Sequence, residues 1–145
     1  MKIRKATIKD IPQMMEIINL NNDFYNKNLA EKELLEMFSK SLIKPTYIVA
    51  EVRGKVVALN GFISSWADNN IYNLFWANTH PDYQGKGIQT RLVKDIIKQL
   101  RKIKSPNVKM ILLSTKIPSY FKRLGFRKIG TKYDGDYRLM EMRLK

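Results

Sequence analysis

Two glycines, separated by one lysine, stand directly before the most regular amphipathic segment of the sequence. The stretch reads THPDYQGKGIQTRLVKDIIKQL, Thr79 to Leu100, and its glycines are Gly85 and Gly87. Glycine is favoured where the chain turns with a positive φ, and where backbone N–H groups must approach a ligand that a Cβ would hold off. The sequence therefore predicts a tight turn, an anion-binding cradle, or both, at the start of a long helix.

The segment after the glycines is predicted to be a helix over about Ile88–Ile103, because apolar residues recur in it at spacings of three and four. These residues are Ile88, Leu92, Val93, Ile96, Ile97, Leu100 and Ile103. Its first turn contains no Asp or Glu to complement the positive end of the helix dipole. Free N–H groups with Lys86 and Arg91 beside them would suit a phosphate. The pattern is neither a P-loop nor a dinucleotide fingerprint, since Thr90 stands where the latter needs its third glycine.

Composition narrows the class of protein. With 145 residues, 44% of them hydrophobic, the chain has the length and apolar content of one globular domain, which we expect to span residues 1–145. It has no cysteine and one histidine, His80, so disulfides, thiolate zinc sites and multi-histidine metal centres are excluded and no metal is expected. No apolar run has the length of a membrane span, and the N-terminus lacks a signal-peptide core. We therefore expect a cytoplasmic protein without a membrane segment.

The charge is the unusual feature of the composition. Lys+Arg 27 against Asp+Glu 13 gives a formal net charge of +14. Such an excess is typical of proteins with an anionic partner, whether nucleic acid, an acidic protein or a phosphorylated cofactor, but it also arises from charges spread over solvated faces. The predicted long helix carries a basic row opposite its apolar stripe: Arg91, Lys94, Lys98, Arg101 and Lys102. No aromatic residue is interleaved there, which favours a solvated face over a base-stacking surface.

The rest of the chain predicts alternating strands and helices. A strand at Lys2–Thr7 precedes a helix that Asp10 caps, and a second helix over about Ala30–Leu42 is stopped by Pro45. The segment NNDFYNKN is the predicted loop between these two helices. Further strands are predicted at TYIVAEV, VVALNGFISS, IYNLFWANT, VKMILLS (buried on both faces), FRKIGTK and YRLMEMRL, with a short helix at IPSYFKRL. The order βααβββαβαββ predicts an α/β (α+β) fold, a mixed and mostly antiparallel sheet with helices on both faces.

The glycine turn and its surroundings closely resemble the core motif of the GNAT superfamily of acyl-CoA-dependent N-acyltransferases. In that family a strand and a His-Pro-like turn lead into Gln/Arg-x-x-Gly-x-Gly/Ala; here NLFWANTHPDY is followed by Gln84-Gly85-Lys86-Gly87-Ile88-Gln89. IRKATIKDIPQMMEII is similar to the family's first strand and helix, YFKRLGFRKIG to its late helix–strand element, and YRLMEMRL to its closing strand. The resemblance covers the whole chain and implies the GNAT fold.

The resemblance implies that acetyl-CoA is the co-substrate and that acetyl is transferred to a primary amine, of a small molecule or a protein, by direct attack in a ternary complex. N–H groups of residues 85–90 would hold the pyrophosphate. The pantetheine arm would pair with the edge of the preceding strand at Ala77, Asn78 and Thr79, where that strand splays from the next one, Val108–Ser114. The cofactor-binding residues implied are Ala77, Asn78, Thr79, Gln84, Gly85, Lys86, Gly87, Ile88, Gln89 and Thr90. Because Gln89 replaces a glycine or alanine, its side chain must turn away from the pyrophosphate. A homodimer is expected by resemblance only.

This sequence lacks two catalytic residues that many relatives have at the corresponding positions. The strand before the glycine turn lacks the expected glutamate, which leaves Glu51, Asp68 and the turn residue His80 as the nearest candidates for a base. The tyrosine that many relatives use to protonate the thiolate is Phe121 here, with Tyr120 one residue earlier and about 100° away around a helix. We take Tyr120 and Glu51 as the catalytic candidates, the alternatives being that both rings are core and that the acids are solvated. These substitutions favour catalysis by positioning with a water-relayed proton.

Two functions of other classes stay open. A non-catalytic member that binds acyl-CoA would show cofactor binding without thiol release for any amine. A basic RNA- or ribosome-associated module would bind polyanions with a steep salt dependence and would be indifferent to coenzyme A. The glycine turn argues against the second, because a helix face that binds nucleic acid does not need it.

Overall fold

A computed structural model of the chain describes residues 1–22, 26–66 and 68–144. One seven-stranded sheet runs through it in the order β1-β2-β3-β4-β5-β7-β6. Its strands are β1 (Lys2–Lys5), β2 (Thr46–Val52), β3 (Lys55–Ser64), β4 (Ile71–Thr79), β5 (Met110–Thr115), β6 (Arg127–Asp134) and β7 (Tyr137–Arg143). The helices are α1 (Ile11–Asn21), α2 (Lys27–Leu35), α3 (Ile88–Arg101) and α4 (Pro118–Arg123). Neighbouring strands pair antiparallel except β4 and β5, which are parallel. The predicted order and the mixed, mostly antiparallel sheet are confirmed.

Hydrophobic clusters cover both faces of the sheet. On one face, the predicted stripe of α3 is buried at Ile88, Leu92, Val93, Ile96 and Leu100 and packs with Phe121 of α4. On the other face, Met14, Ile17 and Ile18 of α1 pack with Leu34 of α2. Each such side chain contributes about 1.5–3 kcal/mol on burial. The amphipathic periods therefore decide which helix face meets the sheet.

In the part of the chain that the structure describes, no helix is both long and apolar enough to cross a membrane.

The second helix is shorter than predicted. Instead of spanning about Ala30–Leu42 up to Pro45, α2 ends at Leu35 and passes into a 3-10 turn at Glu36–Phe38. Ser39 ends the turn, because its backbone is extended and its hydroxyl donates to the Glu36 carbonyl at 2.8 Å. Leu42 is consequently 87% exposed.

The predicted loop between the first two helices is also shorter. Asn26 caps α2 through its side-chain oxygen, which accepts the Leu29 N–H at 3.0 Å, so Lys27 and Asn28 are helical. Residues 23–25 of that loop prediction lie outside the described residues.

Asp10 precedes α1 as predicted but does not cap it. Its carboxylate accepts the Thr7 N–H at 2.7 Å and two hydrogen bonds from the Arg4 guanidinium, at 2.7 and 3.0 Å. Arg4 also donates to Glu51 at 3.0 Å. Arg4 therefore links the start of α1 to β1 and β2, and the helix terminus is left to Pro12, in its first turn.

Strand β5 is buried on one face only, contrary to the prediction for VKMILLS. Ile111, Leu113 and Thr115 are buried, whereas Met110 and Leu112 are half-buried and Ser114 is exposed. The reason is that α1, the helix on the other side of the sheet from α3, packs on β3 and β4 rather than on β5. The strand also begins at Met110, two residues after the predicted Val108.

Candidate active site

The C-terminal half of β4 parts from β5. The two strands pair at Ile71–Met110, Tyr72–Ile111 and Asn73–Leu112, and the described pairing ends there. A cavity of about 500 Å³ occupies the gap beyond this point. It lies between the last residues of β4, the end of β5 and the first turn of α4. The gap corresponds to the slot that the family resemblance implied.

A β-bulge interrupts β4 beside this cavity. Between the pairs Gly61–Phe75 and Leu59–Asn78 the register shifts by one residue, so Trp76 and Ala77 together oppose a single residue of β3. Trp76 adopts a positive φ of 53°, and its indole N–H donates to a Glu33 carboxylate oxygen at 2.6 Å. The bulge leaves Ala77 exposed, at the edge where the two strands have separated.

The glycine turn has the backbone conformation that the sequence suggested, with open space beside it. Gly85 and Gly87 have φ angles of +76° and +77°, which favour glycine, and a Cβ at either position would meet no heavy atom within 4 Å. Gly87 is the N-cap of α3, and neither a side-chain cap nor an acidic residue occupies the first turn. The first N–H groups of α3 therefore lack intrahelical partners and face an open space.

The side chain of Gln89 is turned away from this open space into the sheet. Its Nε2 lies 3.2 Å from the Leu59 carbonyl oxygen, 3.3 Å from that of Asn78 and 3.2 Å from the Thr79 hydroxyl. Its Oε1 accepts a hydrogen bond from the Asn60 amide at 2.8 Å. The amide thus holds together the two strands at the bulge and leaves the turn unobstructed.

A second cavity, of about 750 Å³, lies at the glycine turn. It gathers all the predicted cofactor-binding residues except Lys86, whose ammonium lies over the Tyr83 ring at 5.2 Å from its centre. Both cavities are lined by Asn22, Ala77, Asn78, Gln89, Ile117 and Tyr120, so they form one cleft. Gln84 contributes structurally, because its amide donates to the Thr79 carbonyl at 3.1 Å.

The two aromatic rings of α4 have different environments. Phe121 is 7% exposed and packs edge-on against Phe126, with 5.7 Å between ring centres. Tyr120 is half-buried and lines both cavities. Its hydroxyl lies 2.7 Å from that of Thr90, in the first turn of α3. Phe121 is thus a buried core residue, and Tyr120 packs against the same core while facing the cleft.

The predicted bases lie elsewhere. Glu51 lies on β2, separated from β4 by β3, and is hydrogen-bonded to Arg4; it lines neither cavity. Asp68 precedes the first residue of β4, at the end opposite the glycine turn, and accepts the Asn70 N–H at 2.8 Å. His80 is 8% exposed, and its Nδ1 accepts the Asp82 N–H at 3.1 Å. Among the described residues no Asp or Glu lines the cleft.

Carboxamides dominate the polar wall of the cleft, and three of them were not predicted from the sequence: Asn21, Asn22 and Asn60. Asn78 accepts hydrogen bonds from the amides of Asn21 and Asn22, both at 3.2 Å. Asn60 is 1% exposed in the middle of β3. A polar residue inside the apolar run VVALNGF was the available signal, because burying an amide costs free energy unless it is hydrogen-bonded.

In residues 1–22, 26–66 and 68–144, no group of three acidic or histidine side chains could hold a metal ion.

Comparison with known proteins gives the same architecture. A family model described as "Acetyltransferase (GNAT) domain" matches residues 44–128. No curated protein sequence matches the chain. Among solved structures, a ribosomal-protein-alanine N-acetyltransferase from Brucella melitensis is similar with a TM-score of 0.78 and 18% identity, covering 99% of this chain and 100% of that one.

Two further solved structures are similar and contain coenzyme A. The PaiA N-acetyltransferase from Thermoplasma acidophilum has a TM-score of 0.73 and 17% identity over 99% of this chain and 98% of that one. An aminoglycoside 6'-N-acetyltransferase has a TM-score of 0.78 and 15% identity over 99% and 97%. At these identities the likeness shows the fold.

Proposed function

The chain belongs to the GNAT acetyltransferase family, and from this premise we propose that it transfers acetyl from acetyl-CoA to a primary amine by direct attack in a ternary complex. The observation that carries the proposal is the open, acid-free glycine turn at the start of α3, next to the gap between β4 and β5. A turn with only a structural role would not need to face a cleft of this size.

The residues of the cleft suit the shape and charge of acetyl-CoA. The N–H groups of residues 85–90 would hold the pyrophosphate, since both glycine Cβ positions are open and the Gln89 side chain is directed elsewhere. Arg123 lines the same cavity and adds a positive charge. The exposed strand edge at Ala77 would pair with the pantetheine arm in the gap. The bound thioester would supply the activated acetyl group.

Because none of the described Asp and Glu side chains lines the cleft, some amines suit it better than others. Deprotonating a lysine-like ammonium at pH 7 costs about 4.6 kcal/mol, whereas an α-amine with a pKa near 8 costs only about 1 kcal/mol. The charged side chains that line the cleft are Lys116 and Arg123, which would repel a polycationic acceptor. We therefore favour an α-amine of a peptide or small molecule. The likeness to an enzyme acting on a ribosomal-protein alanine supports this choice.

The reaction needs little proton transfer from side chains. The neutral amine attacks the thioester carbonyl carbon, the N–C bond forms, the C–S bond breaks, and one proton moves from nitrogen to sulfur. A thiol of pKa about 8.5 leaves tolerably as a thiolate near neutral pH. Water in the cleft would carry the proton, so the protein contributes mainly by holding both reactants in position.

Thermal unfolding with and without excess acetyl-CoA tests the proposal, with free coenzyme A and RNA as controls. At a hundred times Kd, a ligand that binds only the folded state adds about 2.7 kcal/mol of stability. Thiol release is then measured with a panel comprising an α-amino peptide, an Nα-blocked lysine peptide and an aminoglycoside. We expect stabilisation by acetyl-CoA and turnover with the α-amino peptide.

The other two functions give different results in the same experiment. Stabilisation by acetyl-CoA with no thiol release for any amine would identify a non-catalytic acyl-CoA-binding protein. Stabilisation by RNA alone, weakening steeply with salt, would identify a basic nucleic-acid-associated module.

A further inference from the structure

One buried polar atom at the cleft has no partner in the described structure. Asn60 lines the cavity between β4 and β5, opposite the bulge, and is 1% exposed. Its Oδ1 is shielded from solvent and accepts no hydrogen bond from the described residues. A buried carbonyl without a donor is costly, and cores seldom tolerate one. A residue of the cavity wall therefore carries a hydrogen-bond acceptor for which the described residues supply no donor.

Neighbouring amides fix which atom of Asn60 is left over. Gln89 Nε2 lies near two backbone carbonyl oxygens, those of Leu59 and Asn78, which can only accept hydrogen bonds. The Gln89 oxygen must therefore face Asn60, at 2.8 Å, and the atom that meets it must be the Asn60 nitrogen. The orientation of both amides follows, and the remaining Asn60 atom is an acceptor. A group with an N–H or O–H is what this wall requires.

We propose that Asn60 Oδ1 accepts a hydrogen bond from the attacking amine and so aims the lone pair of that amine at the thioester. This assignment rests on the amine acetylation proposed above. Asn60 lines the cavity in the strand gap and not the one at the glycine turn, which places it toward the reacting end of the cleft. No carboxylate of the described residues lines the cleft, so an amide oxygen is a suitable group to bind the amine.

Such a contact would favour the transition state over the bound substrates. As the N–C bond forms, the nitrogen becomes positively charged and its N–H becomes a stronger donor. The hydrogen bond to a shielded carbonyl oxygen strengthens at the same moment. An amide N–H of the pantetheine arm is the other group that could donate to Asn60 Oδ1. That N–H can instead donate to a backbone carbonyl at the edge of β4 that has separated from β5.

The test compares Asn60→Ala with Asn70→Ala. Asn70 is a matched control, because its Oδ1 is also buried without a partner but lies before β4, outside both cavities. The panel amine with the highest rate is used, with kcat/KM from thiol release and the acetyl-CoA Kd from calorimetry. For Asn60→Ala we expect kcat/KM for the amine to fall about tenfold or more, with Kd within about twofold of wild type. Asn70→Ala should retain both constants.

Asn60→Leu is a second variant that keeps the side-chain volume if Asn60→Ala loses its fold. A parallel loss of acetyl-CoA affinity would assign the oxygen to the pantetheine amide and overturn the proposal. So would kinetic constants equal to those of Asn70→Ala, or the failure of both Asn60 variants to fold, which would make the residue purely structural. Absence of acetyl-CoA binding or thiol release by the wild-type protein would instead refute the proposed function itself, and this assignment with it.

Discussion

Gly85 and Gly87 show how one residue type serves the turn and the ligand together. Their positive φ angles explain why the turn prefers glycine, and the empty space around each Cβ position explains why a ligand can approach. A left-handed backbone costs an ordinary residue about 1–2 kcal/mol. A substitution there changes both the stability of the fold and the affinity for the ligand, and the two effects can be separated with Gly54, which has a positive φ but lines neither cavity.

Gly87→Ala tests the cradle, with Gly54→Ala as its control. Gly54 has a φ of +78°, and a Cβ added there would also meet no heavy atom within 4 Å, but it lies in the hairpin between β2 and β3. Both variants should lose about 1–2 kcal/mol of unfolding free energy. Only Gly87→Ala should weaken acetyl-CoA binding, by about tenfold or more, because its methyl group occupies the approach to the α3 N–H groups. Calorimetry giving the same Kd for both variants would refute the cradle.

At the scale of elements, a pair of hydroxyls joins α3 to α4 beside the cleft. Tyr120 and Thr90 are 2.7 Å apart, and each lies in or near the first turn of its helix. The tyrosine that many relatives place one residue later is a buried phenylalanine here. The Tyr120 hydroxyl is therefore engaged in holding the two helices together at the cofactor side of the cleft.

Tyr120→Phe should lower the unfolding free energy by about 0.5–1.5 kcal/mol, the value of one hydrogen bond, and change kcat by no more than about threefold. Thr90→Val should have a similar effect on stability. In the double variant, the second substitution should add little to the destabilisation, as expected for two groups that act on each other. Urea denaturation and thiol release provide the measurements. A hundredfold fall in kcat for folded Tyr120→Phe would instead make this hydroxyl the acid that protonates the thiolate.

At the scale of the whole molecule, the excess of positive charge is distributed over solvated faces. The basic row of α3 is exposed along its length and lies opposite the buried stripe, as predicted: Arg91, Lys94, Lys98, Arg101 and Lys102. The arrangement is compatible with a weak, salt-sensitive affinity for polyanions that is independent of the cleft. The homodimer, the cytoplasmic location and the single-domain span stay predictions.

The acid stability of the molecule should depend on Asp10, whose carboxylate joins β1 to the start of α1. The hydrogen bonds from Arg4, and to a smaller extent that from the Thr7 N–H, lower the pKa of Asp10 against the opposing effect of burial. The folded protein therefore prefers the charged form more than the unfolded chain does. The stabilisation is complete above the unfolded pKa of about 3.9 and is lost as pH falls through the lower folded value.

Asp10→Asn should therefore lower the unfolding free energy at pH 7 by about 1.5–3 kcal/mol, the value of hydrogen bonds to a charged group. The difference from wild type should shrink below about pH 4, where the wild-type carboxylate also becomes protonated. Urea denaturation across a pH series measures this. Asp136→Asn is the control, since its ion pair with Lys132 is exposed and contributes about 0–1 kcal/mol. A difference that stays constant down to pH 2 would exclude linkage to the Asp10 charge.

The sequence by itself determined the order of the elements, the buried face of α3 and the glycine turn. These depend on short-range patterns, namely apolar periods, turn residues and a local motif, which no distant contact has to complete. Where a boundary depended on competing local signals, the prediction was less accurate. Pro45 predicts a late end for the second helix, whereas α2 ends at Leu35 and the Ser39 hydroxyl closes the 3-10 turn that follows it.

The tertiary structure alone decided the chemistry of the cleft. The bulge at Trp76 shifts the register by one residue, and in a strand such a shift exchanges the faces on which side chains lie. The tertiary structure also decided that Glu51 binds Arg4 outside the cleft and that the Gln89 side chain turns into the sheet. It left Asn60 with an oxygen that has no partner among the described residues. Each of these outcomes depends on which residues far apart in sequence become neighbours, and a one-residue difference in strand pairing would change them all.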